Sequence, residues 1–291
     1  MGDASPDLWD AVAVLNRWVL YTSMLMASGS ALCLLLLKPP SIAADATARL
    51  GRLAAIVSAP AYVLAIGFGG AAMLGSGLGA ILTTQAWSLG FDTSVGSSAI
   101  LGFPGMLLLI YALTVRRSAA IPLAVGLAIA SFLVTGHAAT AAPVWLTAPI
   151  VGIHLLCAAF WFGAFAPLYV AVRKLPAVEA AVLITRFSAQ AVYAVGAIVV
   201  SGCIIAAVQV EGVSALATTD YGLRLLAKLA LVAAIIGLAA YNKWVLTPKL
   251  RRGERASAAS IRRLIVVEIL LYLLILGAAV SLTMTAPPRA L

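Results

Sequence analysis

From residue 11 to residue 285 the sequence is a succession of apolar runs, most of them 20 residues or longer, separated by short polar breaks. A helix rising 1.5 Å per residue needs about 20 mainly apolar residues to cross the hydrocarbon core of a bilayer. The chain is therefore expected to be all-α and to cross a membrane many times. Composition agrees, with 63% hydrophobic and 10% charged residues, against about 45–50% and roughly 25% in soluble domains. No stretch is left for a soluble appendage, so residues 1–291 are expected to form a single transmembrane helical domain.

Eight spans are predicted, at approximately residues 10–37, 51–74, 98–115, 119–141, 147–172, 184–209, 222–246 and 262–285. The breaks after the odd-numbered spans, such as "KPPSIAADATAR" and "TPKLRRGERASAASIRR", carry the cations. Fifteen of the 19 Lys and Arg fall in these loops and their flanks: Lys38, Arg49, Arg52, Arg116, Arg117, Arg173, Lys174, Arg186, Lys243, Lys249, Arg251, Arg252, Arg255, Arg262 and Arg263. Arg17, Arg224, Lys228 and Arg289 make up the other side. The positive-inside rule places the odd loops in the cytoplasm and both termini on the opposite, periplasmic side. The net charge of +9 thus reflects loop bias rather than nucleic-acid binding, which is not expected. The N-terminus "MGDASPDLWD" is acidic and lacks the basic region of a secretory signal, so the first run should persist as a helix. The longest outer loop, residues 75–97, is apolar enough to fold against the bundle or lie along the interface, and its "GSGLGA" lacks the strand and lysine of a nucleotide cradle.

Both histidines of the chain, His137 and His154, fall in "TGHAATAAPVWLTAPIVGIHLLCAAFWFGAF". The predicted orientation puts one at the outward end of the fourth span and the other in the first turns of the fifth, joined by a short linker containing Pro143 and Pro149. Ionisable groups in spans usually face the bundle interior and mark ion or substrate paths, and neutral imidazole is the commonest metal ligand. An interhelical hydrogen bond is the alternative for each ring taken alone. His154, Cys157 and Trp161 stand at i, i+3 and i+7, on one helix face. Cys157 offers a soft ligand or a small buried apolar group. Among the methionines, Met73 and Met284 lie near outer span ends and Met24 lies in the first span; thioethers suit Cu(I) but also fill gaps in cores. Cys33, Cys157 and Cys203 match no zinc or haem-attachment spacing.

Two charges fall inside predicted spans. Lys228, about two turns into the seventh, is placed to snorkel outward or to line a path. Glu268, in the eighth, lies within reach of Asn242 and Lys243 of the seventh, either as an interhelical hydrogen bond or as an ion or proton station on the cytoplasmic side.

The ordered set "TGHA", "HLLCAAFWFGAFAPL", "RFSAQAV", "DYGLRLLAKLALV", "YNKW" and "VEILLYLLILGAAVSLTMTAPP" resembles the copper resistance protein D (CopD) family over most of residues 130–288. The resemblance implies a bacterial inner-membrane protein of several spans, linked to copper uptake, with copper ion as its cargo and a periplasmic copper carrier of the CopC type as a separate partner. It places His137, His154, Lys228 and Glu268 at family positions. At "WFGA" the family usually has Trp-x-Gly-Gly, and Ala164 here departs from it, which bears on close helix packing at that turn.

The expected function is copper transport across the bacterial cytoplasmic membrane, inward from an outward-facing His137/His154 site, by a protein that is not an enzyme and carries no nucleotide-binding motif. Two imidazoles do not complete a copper sphere, so a Met, Cys, water or carrier-derived ligand is required. The alternatives are a haem b electron carrier with the two histidines as axial ligands, and a copper-binding sensor or scaffold without transport.

Overall fold

The computed structural model describes residues 8–75, 78–136, 143–210 and 212–285. The chain runs through α1 (Leu8–Leu37), α2 (Ser41–Met73), a 3-10 turn (Leu78–Leu82), α3 (Thr84–Phe91), α4 (Ser94–Thr114), α5 (Ile121–Leu133), α6 (Val144–Lys174), α7 (Ala177–Gln209), the single turn α8 (Ala215–Thr218), α9 (Asp220–Tyr241), a π turn (Asn242–Leu246), α10 (Thr247–Arg251) and α11 (Arg255–Thr283). Among the described residues there is no strand. Seven helical stretches are long and apolar enough to cross a membrane. The predicted span 119–141 begins as the shorter apolar helix Ser118–Leu133, and residues 137–142 lie outside the described ones.

Most helices start earlier than hydropathy suggests, because a helix need not stop where the membrane does. Pro40, with φ −53°, sets the backbone for α2 ten residues before the predicted span. Threonines mark other starts: the hydroxyls of Thr83, Thr93 and Thr219 accept from the backbone N–H of Ala86, Val95 and Gly222, satisfying donors that a helix start leaves open. Pro143 caps α6, but Pro149 lies within the helix. The part of the expected linker from Val144 onward therefore belongs to α6.

The helices alternate in direction. At one end, Arg186 Nη1 donates to Leu37 O at 2.7 Å and Arg116 Nη2 to Asp45 Oδ1 at 2.5 Å, tying α7 to the last turn of α1 and α4 to the first turns of α2. This is the basic end. At the other, Arg17 Nη1 donates to Thr283 Oγ1 at 3.1 Å and the Tyr221 hydroxyl to Gln209 Oε1.

The tightest crossing joins α1 and α6. A Cβ built on Gly29 would lie 1.8 Å from Ala159 O, and one on Gly163 would lie 2.0 Å from Gly29 C. Small residues allow such backbone contact in membrane bundles, where dispersion and close approach replace the hydrophobic effect as the cause of association. The glycine that matters in "WFGA" is thus Gly163; Ala164 is fully buried beside it. The outer loop folds back on α2 in the same way, since a Cβ on Gly90 of α3 would lie 2.0 Å from Ile66 O. Trp87 Nε1 then donates to Ile81 O at 2.7 Å, holding the 3-10 turn against α3.

Candidate functional site

His154 is the tenth residue after Val144, the first of α6, so the 1.5 Å rise puts it ~15 Å inside the N-terminal end of its helix. It is deeper than a span starting at residue 147 implied. Its half-buried ring turns toward α7, where Nδ1 lies 3.0 Å from Ser201 Oγ. Ser201 is the eighth residue before Gln209, the end of α7, which gives a matching depth of ~12 Å. Gly202 leaves room for the ring, because a Cβ there would stand 3.6 Å from His154 Cε1.

The serine decides which imidazole nitrogen carries the proton. Ser201 Oγ donates to Ala197 O at 2.5 Å, so its single hydroxyl proton is committed to its own helix. Its oxygen is left to accept from His154 Nδ1–H. With Nδ1–H as the donor to Ser201, Nε2 carries the ring's lone pair, which can bind a cation or accept from a donor. Metal-binding imidazoles are commonly held in this way by a hydrogen bond on the far nitrogen.

Lys228 of α9, half-buried, is close enough for its charge to act on the His154 ring. Its position eight residues after Asp220 again gives ~12 Å of depth. Histidine and serine thus meet from two helices at one level, with the lysine charge near enough to act on the ring.

The other expected residues are distributed differently. His137 lies outside the described residues. Cys157 is half-buried, one turn below His154, and Trp161 is buried in the core. Met24 is fully buried, with the Ser28 hydroxyl 3.6 Å from its sulfur, so it belongs to the core around α1. Met73 and Met284 are exposed at the C-terminal ends of α2 and α11. Among the described residues no group of three or more His, Cys, Asp and Glu gathers as a metal centre.

A second polar locus lies nearer the middle of the bundle. Glu268 of α11 is buried, and Asn242, first residue of the π turn, reaches its carboxyl. Even so, Glu268 Oε1 and Asn242 Oδ1 have no hydrogen-bond partner among the described residues. The π turn widens the helix where Asn242 projects, a distortion often found at functional positions. One turn above Glu268, Tyr272 donates to Ala158 O at 2.7 Å and stacks on Phe162 at a centroid distance of 4.4 Å. Along the bundle the order is His154, Tyr272, Glu268. Sequence reasoning missed Ser201; its only signal was a hydroxyl followed by glycine in an otherwise apolar run.

Residues 181–282 match the family Copper resistance protein D, and residues 6–146 match its companion description, Copper resistance protein D-like, N-terminal domain. The chain belongs to the copper resistance protein D family. This family member is 28% identical over 302 aligned positions to Copper resistance protein D of Pseudomonas syringae pv. tomato, covering 92% of this chain and 94% of that protein. Over 109 positions it is 33% identical to Inner membrane protein YebZ of Escherichia coli (strain K12), covering 36% and 37% of the two chains. No solved structure matches. The protein is accordingly a multi-pass inner-membrane protein. His154, Cys157 and Trp161 fall between the two matched stretches.

Proposed function

We propose that this protein carries copper across the bacterial cytoplasmic membrane, taking the ion from the periplasmic side at a site containing His154 and His137. The observation that carries this reading is the His154–Ser201 contact at 3.0 Å, which leaves Nε2 of a half-buried imidazole as a free lone pair in the outer half of the bundle. Membership in a copper resistance family supports copper as the ion. Cys157 or a carrier-derived group completes the coordination.

The orientation is eight crossings with both termini periplasmic. It is supported by the basic residues gathered at one end of the helices and by Arg17 and Thr283 meeting at the other. The packing of Gly152 of α6 near Leu133, the last residue of α5, supports the eighth crossing. Inward movement is favoured by the membrane potential, worth ~2.3 kcal/mol per charge per 100 mV. Lys228 opposes a second cation beside the ring and so keeps copper from being held too tightly. Glu268 and Asn242, deeper in the bundle, are the next oxygen donors on the way. A periplasmic carrier of the CopC type is the proposed source of the ion.

Element-resolved metal analysis of the purified protein and copper accumulation in cells test this together. The His137→Ala/His154→Ala variant should lose bound copper and fall to the accumulation of cells without the protein; unchanged accumulation rules the reading out. A Soret band in the purified wild type would instead establish the haem carrier, and copper binding without uptake in proteoliposomes would establish a sensor or scaffold.

A further inference from the structure

Among the described residues, only Lys38 and Arg116 combine a side chain with positive φ, at 45° and 56°. Each follows the end of a helix, α1 at Leu37 and α4 at Thr114, in the left-handed turn that glycine normally takes because a Cβ is disfavoured there. Long cationic side chains at both places are an observation that calls for a physical reason.

Both line one cavity of about 400 Å³ between α1, α2, α4 and α5 at the basic end. Its walls are apolar, including Leu34, Leu35, Ala44, Ala48, Ala112 and Ile121, while Lys38, Arg116 and Ser118 supply its polar groups. Ala44 and Ala48 stand one turn apart on α2, and their small side chains open the slot. Asp45 takes one contact of the Arg116 guanidinium at 2.5 Å, leaving the remaining N–H donors of Arg116 available. Lys38 forms no ion pair among the described residues. Two cations against one carboxylate leave the polar side of the cavity positive.

Hydrocarbon walls beside a positive, hydroxyl-bearing rim suit a ligand that is apolar along its length and anionic at one end. A small soluble anion would satisfy the cations but leave the apolar walls in contact with water. In the orientation proposed above, on which this inference rests, the cavity also lies at the end where the basic loops meet the cytoplasmic leaflet, and basic pockets between membrane helices on that side are suited to anionic lipid headgroups.

We propose that this cavity binds an anionic phospholipid of the cytoplasmic leaflet, its phosphate between Lys38 and Arg116 and the upper part of an acyl chain against Ala44, Ala48 and Ala112. The left-handed turns at Lys38 and Arg116 bring both cations to the same headgroup. The site joins the ends of α1, α2, α4 and α5, so its occupant bridges the N-terminal half of the bundle.

The test uses the full-length protein, stripped of lipid in a neutral detergent, with thermal unfolding followed after adding phosphatidylglycerol, phosphatidylcholine or inorganic phosphate. Phosphatidylglycerol is expected to raise the midpoint by about 5 °C, a shift produced by ligand binding to the folded state, and to remain attached in native mass spectrometry. The other two additives should move it by less than a third as much. Lys38→Gln/Arg116→Gln should remove at least half of the shift by neutralising the rim. Ala48→Leu should do the same by filling the slot while both charges stay. Equal stabilisation by phosphatidylcholine, or by inorganic phosphate, overturns the proposal from the wild-type measurement alone, and so does a full phosphatidylglycerol shift in either folded variant.

Discussion

Arg17 of α1 and Thr283 of α11 are hydrogen bonded at 3.1 Å although 266 positions separate them in the chain. The first and last membrane helices therefore present their free ends to the same side of the bundle. With the basic loops at the other side, both termini are expected in the periplasm. Alkaline phosphatase fused to either terminus should be active, and green fluorescent protein exported unfolded to either should stay dark. A bright C-terminal fluorescent fusion would overturn the periplasmic placement of that terminus.

Ser201→Ala removes the acceptor that holds His154 Nδ1–H. Loss of such a supporting contact commonly weakens metal binding about 10- to 100-fold. Copper affinity should fall within that range in competition with a colorimetric chelator, while the thermal midpoint changes little, because the serine's other bonds are back-bonds within its own helix. Unaltered affinity would show that the serine does not orient the ring for metal.

Gly163→Ala should destabilise the bundle by about 2 kcal/mol or more, since inserting a methyl group where no space exists forces the backbones apart. Its Cβ would fall 2.0 Å from a backbone carbon of Gly29. Ala164→Gly, which restores the pair of glycines usual in the family, should cost only about 1 kcal/mol, the helix propensity difference. Unfolding in mixed micelles distinguishes the two.

Glu268→Gln keeps the shape of the side chain and removes its ability to ionise. Because Glu268 Oε1 is buried without a partner, the neutral amide should leave stability equal or higher. Copper uptake into proteoliposomes should nevertheless drop about tenfold, a loss of ~1.4 kcal/mol of path stabilisation. Wild-type uptake in this variant would make the carboxyl purely structural.

Asp45→Ala breaks the shorter of the two ion pairs among the described residues, yet both side chains are well exposed, at 51% for Asp45 and 72% for Arg116. Exposed pairs contribute about 0–1 kcal/mol. The thermal midpoint should therefore move by no more than a degree or two, and a larger fall would show that the pair is shielded from water.

The membrane class, the approximate spans and the charged end of the bundle were legible in the sequence, because each follows from transfer energies that act residue by residue. An apolar run of 20 residues and a loop bearing "RRGERASAASIRR" carry the same meaning whatever surrounds them. The family resemblance was legible for a related reason, since ordered short motifs survive without reference to contacts. The span ends were less so: α2 continues upstream through "SIAADATAR", because a helix outside the hydrocarbon needs hydrogen bonds but not hydrophobicity.

The candidate site was legible only as residue types. The sequence alone marked His154 as a polar group that needs a partner, and marked Glu268 and Asn242 as neighbours across two helices. It did not identify the histidine's partner. Ser201 is 47 positions away, and whether α7 turns that hydroxyl or a lipid-facing valine toward α6 depends on the rotation of two helices about their axes. That rotation is set by packing, above all by where small residues such as Gly29 and Gly163 let backbones touch. By itself the sequence determined that the chain lives in a membrane, which end of the bundle carries the basic loops and which residue types are available as ligands. The tertiary structure alone decided the depth and serine partner of His154, the unpartnered oxygens of Glu268 and Asn242 among the described residues, and the cavity lined by Lys38 and Arg116, because those depend on distances between helices that no local pattern encodes.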